Sequence, residues 1–435
     1  MPNPLTVLFM PESAYGPTNN CIGIGNVLRR RGHRVVFAAE SSWRGRLEAQ
    51  GFEEQMVDLA PPAPEAAGQD AGQFWRDFVR DTAPVFRRPT IEQLSGFVQP
   101  TFSALIDGAM YCEPRLREIL AEVRPDVVVE DNVVSFPALM TTDAPFVRIV
   151  SCNPLELPGQ AVPPAYSGLP ADSPDTWPEF RAEFDRTHRP MWEAWNAWVQ
   201  QQGAPALPEL EFTHASPHLN LYVYPEDLDY VDARPLDSTW QRLDSSVRDA
   251  TGEPFTVPDF GDPEAALVYL SLGSLGSADV DLMRRLVTML ATTPHRYIVS
   301  LGPSHDSVEL APNMVGAEFL PQTQVLPLVD LVITHGGNNT TTEALHFGKP
   351  MVVLPLFWDQ YDNAQRVHET GVGVRLDTYT CSAEELSSAI DGLLHDEALR
   401  ARLEDLSRRT RARDGVTRAA ELIETLGQGR RDVIR

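Results

Sequence analysis

A short turn rich in glycine and amide side chains has the residue types of an anion site. The letters HGGNN follow DLVIT, an apolar and β-branched run typical of a buried strand, and precede TTTEALHF, a helical run. A helix that begins after a strand presents free backbone N–H groups and the positive end of its dipole. The two glycines allow a ligand close to the backbone, and His335 and Asn339 can add side-chain donors. The pattern predicts a phosphate site where this helix begins, near Thr340.

The composition indicates an acidic α/β protein with a large core. The 435 residues are 43% hydrophobic, and the formal charge is -25. This length allows two or three domains, and the charge disfavours nucleic acid and anionic membrane surfaces as partners. The four well-separated cysteines match neither a metal site nor a disulfide framework, which favours reduced thiols and a cytoplasmic location. The first apolar run, LTVLFM, is too short for a membrane span and lacks the basic flank of a signal peptide.

Strand and helix patterns alternate along the whole chain. It opens with a strand at Leu5–Met10 and a helix at Cys21–Arg31, followed by a second strand, as in a doubly wound domain. A polar, proline-containing segment at residues 234–262 indicates a domain boundary. Between them lie helices rich in aromatic residues, which form either core or the wall of an apolar acceptor pocket. They are predicted at Phe74–Leu94, Phe97–Val123 and Trp177–Gln202.

Four motifs in the second half together resemble a known signature. FLPQ, THGGNNTTTE, GKP and PLFWDQYDN follow one another as in the sugar-nucleotide site of UDP-dependent glycosyltransferases with the GT-B fold. This family includes plant, animal and bacterial natural-product enzymes. The opening strand, RRRGHRVVFAA and LVYLSLGS also lie at the family's positions, so the resemblance covers the whole chain, most loosely at residues 60–120 and 152–203. It implies an α/β protein with two Rossmann-like doubly wound domains that face each other across a cleft.

The resemblance also implies how the chain is divided. Residues 1–235 would form the acceptor-binding domain and residues 263–414 the nucleotide-sugar-binding domain, joined by a linker at residues 236–262. Residues 415–435 would be a C-terminal helix and tail that can return to the first domain.

The family's donor contacts fall on residues that match by position. Phe319 stands where the family has an aromatic residue, usually tryptophan, that stacks on the base. The other implied contacts are Gln322 for the base or ribose side, Glu343 for the ribose hydroxyls, His335, Gly337, Asn339 and Thr340 for the diphosphate, Gly273 and Ser274 for a turn near the phosphates, and Asp359 and Gln360, with Trp358 beside them, for the sugar hydroxyls. Two of these contacts have a structural alternative. Thr340 and Glu343 could form a capping box, and Asp359 could cap the following helix.

Two Asp-x-Asp pairs raise the question of a metal ion. Asp227 with Asp229, and Asp279 with Asp281, match the pattern by which glycosyltransferases of the other common fold hold a divalent ion. Chance matches are expected among 61 acidic residues, and neither pair follows a strand that would direct both carboxylates at a diphosphate. We therefore expect no metal and no cofactor besides the UDP-sugar donor. Backbone donors and the helix dipole would stabilise the leaving UDP instead.

The family's usual catalytic base is absent. The resemblance places a histidine in a Gly-His pair after the first strand, oriented by an aspartate from a later strand, but Pro17 stands at the histidine's position. Asp131 matches the partner aspartate. We expect Asp131 or Glu12 to accept the acceptor's proton, with Asp131 preferred because it ends a strand. An acceptor that is itself acidic or nucleophilic would need no strong base.

The sequence thus predicts an inverting transferase that moves a hexose from a UDP-sugar, with UDP-glucose expected, to a hydrophobic small molecule. Because proline replaces the histidine, a noncatalytic or auxiliary protein that binds nucleotide sugar is the alternative. A sugar-nucleotide epimerase of the same architecture is a third hypothesis. The sequence leaves open the acceptor, the sugar, the choice between uridine and thymidine, and the oligomeric state.

Overall fold

The computed structural model describes residues 3–61, 82–157, 159–248 and 253–429. Residues 74–81 of the helix predicted at Phe74–Leu94 lie outside the described residues, as do residues 430–435 of the predicted tail.

Two parallel sheets form the frame of the protein, and the first contains seven strands. They are β1 at Thr6–Pro11, β2 at Arg34–Ala39, β3 at Glu53–Met56, β4 at Val127–Asp131, β5 at Phe146–Val150, β6 at Leu219–Val223 and β7 at Trp240–Leu243. Their order in the sheet is β3-β2-β1-β4-β5-β6-β7. Strand β7 lies inside residues 236–262, so this part of the predicted linker is instead the edge of the first domain's sheet.

The second sheet contains six strands. They are β8 at Leu267–Ser271, β9 at Arg296–Ser300, β10 at Met314–Ala317, β11 at Leu331–Thr334, β12 at Met351–Val353 and β13 at Gly373–Arg375. Their order is β10-β9-β8-β11-β12-β13, and every neighbouring pair is parallel. The predicted α/β fold with two doubly wound domains is confirmed.

Each sheet reverses its strand order at one point, and the predicted site residues follow the strands at these points. In the first sheet β1 and β4 are neighbours, and Glu12 and Asp131 lie at their carboxyl ends. In the second sheet β8 and β11 are neighbours, and Gly273 and His335 follow them. A crevice forms where strand order reverses, because the crossovers on either side lead to opposite faces of the sheet.

Nine longer helices cover the sheets within the described residues. They are α1 at Tyr15–Arg30, α2 at Gln99–Val123, α3 at Trp177–Gln201, α4 at Val280–Leu290, α5 at Asn338–His346, α6 at Gln360–Glu369, α7 at Ala383–His395, α8 at Glu397–Arg413 and α9 at Gly415–Gly427. Shorter helices lie at Thr90–Gln93, Pro137–Met140, Gly273–Gly276 and Gln322–Val325. Helix α1 begins at Tyr15 rather than at Cys21, because Pro17 falls in its first turn, where a missing N–H is tolerated.

The last helix returns to the first domain. Apolar residues of α9, including Val416 and Ile423, share a buried cluster with strands β1, β2 and β4. Arg31 Nη1 donates to Glu424 Oε2 at 2.6 Å, and His33 Nε2 lies 2.8 Å from Glu424 Oε1. The C-terminal helix therefore crosses from the second domain and covers the first domain's sheet.

Candidate active site

The turns that follow β8 and β11 meet around one histidine. Gly273 and Gly336 adopt positive φ angles of 69° and 87°, which glycine reaches without strain. A Cβ atom on Gly273 would lie 2.9 Å from the His335 ring, and one on Gly337 would lie 2.6 Å from its Nε2. Ser274 is the second residue of the short helix that begins at Gly273. The structure therefore brings the two predicted phosphate-side turns together.

His335 is a neutral group in this position. Burial lowers its pKa from 6.5 to about 4, against the opposing effect of a hydrogen bond with the Ser271 backbone. The imidazole N–H can donate a hydrogen bond to a phosphate oxygen, but the neutral ring supplies no positive charge near pH 7. Attraction for an anion must therefore come from backbone amides and the dipole of helix α5.

Helix α5 begins without a side-chain cap. Gly337 is its N-cap residue, and no side-chain hydrogen bond closes this end. The N–H groups of the first turn have no partner within a helix, so they are the donors that an anion would use. Thr340 lies inside the first turn rather than at the N-cap, so the capping box considered for Thr340 and Glu343 is not formed.

Glu343 belongs to a buried polar cluster beside this helix. Its carboxylate accepts hydrogen bonds from Gln322 Nε2 at 2.6 Å and from Arg248 Nη1 at 3.3 Å. Gln322 also donates to Thr340 Oγ1 at 3.2 Å. Burial raises the pKa of Glu343, and the charge of Arg248 opposes that shift. Sequence reasoning missed Arg248, because it lies in the polar segment that was assigned to the linker.

Phe319 stands at the exposed end of the same region. Phe319 lies two residues after strand β10 and shortly before the helix that begins at Gln322. Its side chain is nevertheless 57% exposed. Core packing therefore does not account for an aromatic residue here. The ring is available for stacking against a planar ligand.

Two residues that are predicted to contact the donor, Asn339 and Asp359, form hydrogen bonds with the first domain in this structure. Asn339 Nδ2 donates to the Gly16 carbonyl at 3.0 Å, and Asn339 Oδ1 accepts from Asn20 Nδ2 at 3.0 Å. Asp359 Oδ2 accepts from the Asn153 backbone N–H at 2.8 Å, and burial raises its pKa to about 7. Asp359 occupies the N-cap position of α6, but its side chain makes no cap hydrogen bond, so the capping alternative is not realised. These side chains would have to exchange partners to bind a donor.

Trp358 and Gln360 flank Asp359 and have different surroundings. Gln360 Oε1 accepts from the backbone N–H groups of Leu356 and Phe357 at 3.1 and 3.3 Å, which holds its own loop. Trp358 has a φ of 56°, rare for a residue with a side chain. Its ring packs among aromatic residues of the first domain, with centroid distances of 5.2 Å to Phe102 and 4.7 Å to Tyr166. Trp358 thus packs the loop of the WDQYDN motif against buried aromatic residues of the first domain.

Further amide and carboxyl groups hold the domains together and were not predicted as site residues. Asn338 Nδ2 donates to the carbonyls of Ser151 and Val223, both at 2.9 Å. Asp362 accepts from the backbone N–H groups of Tyr166 and Gly168. The sequence offered one indication of their importance: Asn338 and Asp362 lie in the motifs HGGNN and WDQYDN, which also contain predicted donor residues.

The two candidate bases lie side by side at the reversal point of the first sheet. Asp131 is 2% exposed, and its Oδ2 accepts from Ser151 Oγ at 2.5 Å. Burial raises the pKa of Asp131 to about 8. Glu12 accepts from Ala14 N–H and Ser13 Oγ, so its carboxylate closes its own loop, and burial raises its pKa as well.

A hydrogen-bonded chain connects Asp131 with the second domain. Ser151, which donates to Asp131, accepts from Asn20 Nδ2 at 2.7 Å, and the same Asn20 group donates to Asn339 Oδ1. The candidate base and the first turn of α5 are therefore linked through two side chains. This arrangement places the candidate base and the candidate anion site on opposite sides of one cleft.

Both Asp-x-Asp pairs have carboxylates that contact other groups of the protein. Asp227 pairs with Arg409 at 2.9 Å, and Asp229 accepts from the Tyr222 hydroxyl at 2.7 Å. Asp279 caps α4 by accepting from the Leu282 N–H at 3.0 Å. In the part of the chain that the structure describes, no three His, Cys, Asp or Glu side chains are grouped to hold a metal ion.

The helices among these residues were also compared with a membrane span. None of them has both the length and the apolar character that crossing a membrane requires.

Comparison with known proteins agrees with this geometry. Residues 247–414 match the UDP-glucoronosyl and UDP-glucosyl transferase family. The NDP-glycosyltransferase YjiC of Bacillus subtilis (strain 168) is 23% identical, and the match covers 94% of each chain. Oleandomycin glycosyltransferase of Streptomyces antibioticus is 24% identical over 97% of this chain and 90% of its own. Residues 247–414, which contain the predicted donor residues, belong to the UDP-glycosyltransferases of the GT-B type.

Solved structures support the fold of this glycosyltransferase. The glycotransferase of kitacinnamycin superposes with a TM-score of 0.68 and 24% identity, covering 98% of this chain and 100% of its own. The glycosyltransferase VinC in complex with DTDP gives a TM-score of 0.66 at 17% identity, with the same coverage. Because the full-length relatives are transferases by name, the noncatalytic alternative raised by Pro17 receives no support from them.

Proposed function

We propose that this glycosyltransferase moves a hexose from a UDP-sugar, with UDP-glucose as the first donor to test, to a hydrophobic small-molecule acceptor, inverting the anomeric centre. The observation that carries the donor side is the uncapped start of α5 beside the glycine turns around His335. Backbone N–H groups there would bind the diphosphate and stabilise the charge that develops on it as it leaves. We propose that this transfer reaction needs no metal ion and no cofactor besides the sugar donor.

The remaining donor roles follow from position. Phe319 would stack on the base, and Glu343 with Gln322 would bind the ribose side, because both groups already form a buried polar cluster next to α5. Asp359 and Gln360 would bind sugar hydroxyls after releasing their present backbone partners. A solved neighbour is in complex with DTDP, so thymidine donors belong in the same test.

The acceptor would enter through the first domain. Phe102 of α2 contacts the rings of Trp358, Tyr166 and His188, and His188 lies on α3. Tyr166 also contacts Phe184 of α3. Such a wall favours an apolar or aromatic acceptor over a sugar or a peptide. Oleandomycin glycosyltransferase, a relative over nearly the whole chain, supports testing macrocyclic acceptors beside phenols.

Asp131 would act as the general base. As the acceptor oxygen bonds to the anomeric carbon, its proton passes to the Asp131 carboxylate, and the bond from that carbon to the diphosphate oxygen breaks. The nucleotide leaves with the bonding electrons toward the N–H groups of α5. The pKa of about 8 lies near neutral pH, where a general base is most effective, although only part of Asp131 is ionised at pH 7.

The test is a turnover assay with purified protein. UDP-glucose, UDP-glucuronate and TDP-glucose are each incubated with phenolic and macrocyclic acceptors, and both the released nucleotide and the glycosylated product are measured by chromatography and mass spectrometry. Acceptor-dependent release from a UDP-sugar, with a β-linked product from the α-configured donor, is expected. Nucleotide binding without turnover for any acceptor would contradict the proposed reaction, and conversion of the donor in the absence of acceptor would favour an epimerase.

We also expect a cytoplasmic location. All four cysteines are free thiols, three of them buried, as in proteins kept under reducing conditions.

A further inference from the structure

Two exposed aromatic rings from different domains lie opposite each other at the mouth of the donor site. Among the described residues six large apolar side chains are exposed, and Tyr15 and Phe319 are two of them, at 42% and 57%. Their ring centroids are 6.3 Å apart, with an angle of 45° between the planes. An exposed pair of this kind, one ring from each side of a cleft, is explained by a planar ligand better than by core packing.

The Tyr15 ring is held in place by its own domain. It is the first residue of α1 and packs edge-on against Trp43 at 5.4 Å. Trp43 is anchored by a hydrogen bond from its Nε1 to the Ser13 carbonyl at 2.8 Å. Arg46 Nη1 donates to the Tyr15 hydroxyl at 2.9 Å. Tyr15 is therefore oriented before any ligand arrives.

The backbone that carries Tyr15 also touches the start of helix α5. Gly16, the next residue, accepts the hydrogen bond from Asn339 Nδ2 at 3.0 Å. Tyr15 thus lies within reach of a nucleotide whose diphosphate occupies the α5 terminus. Phe319, on the other side, precedes Gln322 of the ribose-side cluster in the chain.

We propose that Tyr15 forms the second face of the nucleobase site, so that the donor's pyrimidine base is held between Tyr15 and Phe319. The inference rests on the proposed nucleotide-sugar function and adds a residue of the first domain to the donor site. Aromatic planes in contact lie about 3.5 Å apart, so a base between two rings needs about 7 Å. The present distance of 6.3 Å requires only a slight opening of the cleft or rotation of the rings.

This arrangement has two consequences. Phenylalanine offers less stacking surface than the tryptophan usual at the position of Phe319, and a second ring restores contact area on the other face of the base. A base held by one ring from each domain also links nucleotide binding to closure of the cleft, because neither domain alone supplies both faces. Stacking reads no hydrogen-bond pattern, so uracil and thymine would both be accepted.

The test compares binding of UDP and of pyrophosphate, which lacks the base, by titration calorimetry with the full-length protein. Tyr15→Ala should weaken UDP binding about tenfold, the usual size of one lost base–aromatic contact, and leave pyrophosphate binding unchanged. Tyr15→Phe keeps the ring and should stay close to wild type. Tyr15→Leu, which keeps an apolar side chain against Trp43, should behave like Tyr15→Ala and guards against a folding defect. Tyr111→Ala, at a tyrosine with a similar exposure of 45% on α2, is the matched control.

The outcomes are distinct. If UDP binds equally well to wild type, Tyr15→Ala and Tyr15→Leu, or if Tyr15→Phe loses as much affinity as Tyr15→Ala, the stacking role is overturned while the proposed function stands. An equal loss of pyrophosphate and UDP binding would also overturn it. If the wild-type protein binds neither UDP nor TDP, the proposed function itself fails.

Discussion

Asp131 and His335 are both buried, and burial shifts their pKa values in opposite directions. A low-polarity environment disfavours the charged form, so the pKa of the carboxyl rises to about 8 and that of the imidazole falls to about 4. Near pH 7 His335 is neutral and most of Asp131 is protonated. These two groups therefore add little charge to the candidate site near pH 7, although the protein as a whole is strongly acidic.

At the residue scale, the first prediction concerns the base. Asp131→Asn should lower kcat by about 10²–10⁴ for an aliphatic alcohol acceptor and leave UDP binding nearly unchanged, because only proton transfer is lost. Wild-type kcat should rise with pH as Asp131 ionises around 8, and the variant should lack this rise. A pH series with steady-state kinetics measures both effects.

The matched control is Glu12→Gln, which should keep most of the activity because that carboxylate closes its own loop. If Glu12→Gln loses turnover and Asp131→Asn does not, Glu12 is the base. An acidic phenol as acceptor should show a smaller loss in Asp131→Asn, since it gives up its proton without help.

At the scale of single elements, two glycine turns shape the proposed donor site. The turn after β8 approaches His335 so closely that a methyl group would collide with the ring, and its backbone has a positive φ. The turn after β11 leads into α5 without a side-chain cap. These two short segments determine whether the α5 amides face an open site.

Gly273→Ala should therefore weaken UDP binding and lower the free energy of unfolding by about 1–2 kcal/mol, the cost of a left-handed conformation for a residue with a Cβ atom. Gly392→Ala is the control: this glycine lies inside α7 with nothing within 4 Å of a Cβ, so the change should be neutral or stabilise by up to about 1 kcal/mol. Urea denaturation and UDP titration measure both quantities. Wild-type binding by Gly273→Ala would show that this turn does not shape the donor site.

At the scale of the whole molecule, polar contacts rather than apolar packing alone join the two domains at the cleft. Asn338 is 5% exposed and gives both of its amide hydrogens to carbonyls of the first domain. Asn339 and Asp359 make further contacts of this kind and are also donor-site candidates. Donor binding and domain contact therefore involve neighbouring groups.

Asn338→Ala should lower the free energy of unfolding by about 1–3 kcal/mol, because two buried carbonyls lose their donor. Asn338→Asp should cost more, since it also places a carboxylate next to these carbonyls. Thermal denaturation measures the loss, and small-angle scattering should show a larger radius of gyration if the cleft opens. Unchanged melting and scattering in both variants would mean that other contacts hold the domains.

The buried titratable groups predict how stability depends on pH. Asp131, Asp359 and Asp362 have pKa values raised by burial from 3.8 to about 8, 7 and 8, so the stability they contribute is complete below pH 4 and is lost as pH rises toward 8. His335, like His188, has a pKa lowered by burial from 6.5 to about 4, and its contribution is lost as pH falls below 6.5.

Between pH 6.5 and 8 the contribution of the two histidines is constant, while the stability contributed by the three protonated carboxyl groups is lost as they ionise. The melting temperature should therefore fall across this pH range. Each such carboxyl adds at most about 1.4 kcal/mol per pH unit to the slope. Asp362→Asn should flatten the decline, which differential scanning fluorimetry at constant ionic strength can measure. A melting temperature that rises from pH 6.5 to 8 would contradict the burial of these groups.

The sequence by itself determined the alternation of strands and helices, the two doubly wound domains and the segments that carry the donor residues. These follow from local periodicity, from glycine and proline at turns, and from a long motif whose residues are close in the chain. The DLVIT run, predicted as a buried strand, forms β11 at Leu331–Thr334, because a strand buried on both faces has apolar and β-branched residues throughout.

Only the tertiary structure decided the contacts between distant parts of the chain. It placed Trp240–Leu243 in the first sheet, Arg248 on Glu343, and Tyr15 opposite Phe319. It also showed that Asn339 and Asp359 form hydrogen bonds with the first domain, and that burial lowers the pKa of His335. Burial and pairing depend on what packs against a side chain from elsewhere in the chain, and no local pattern contains that information.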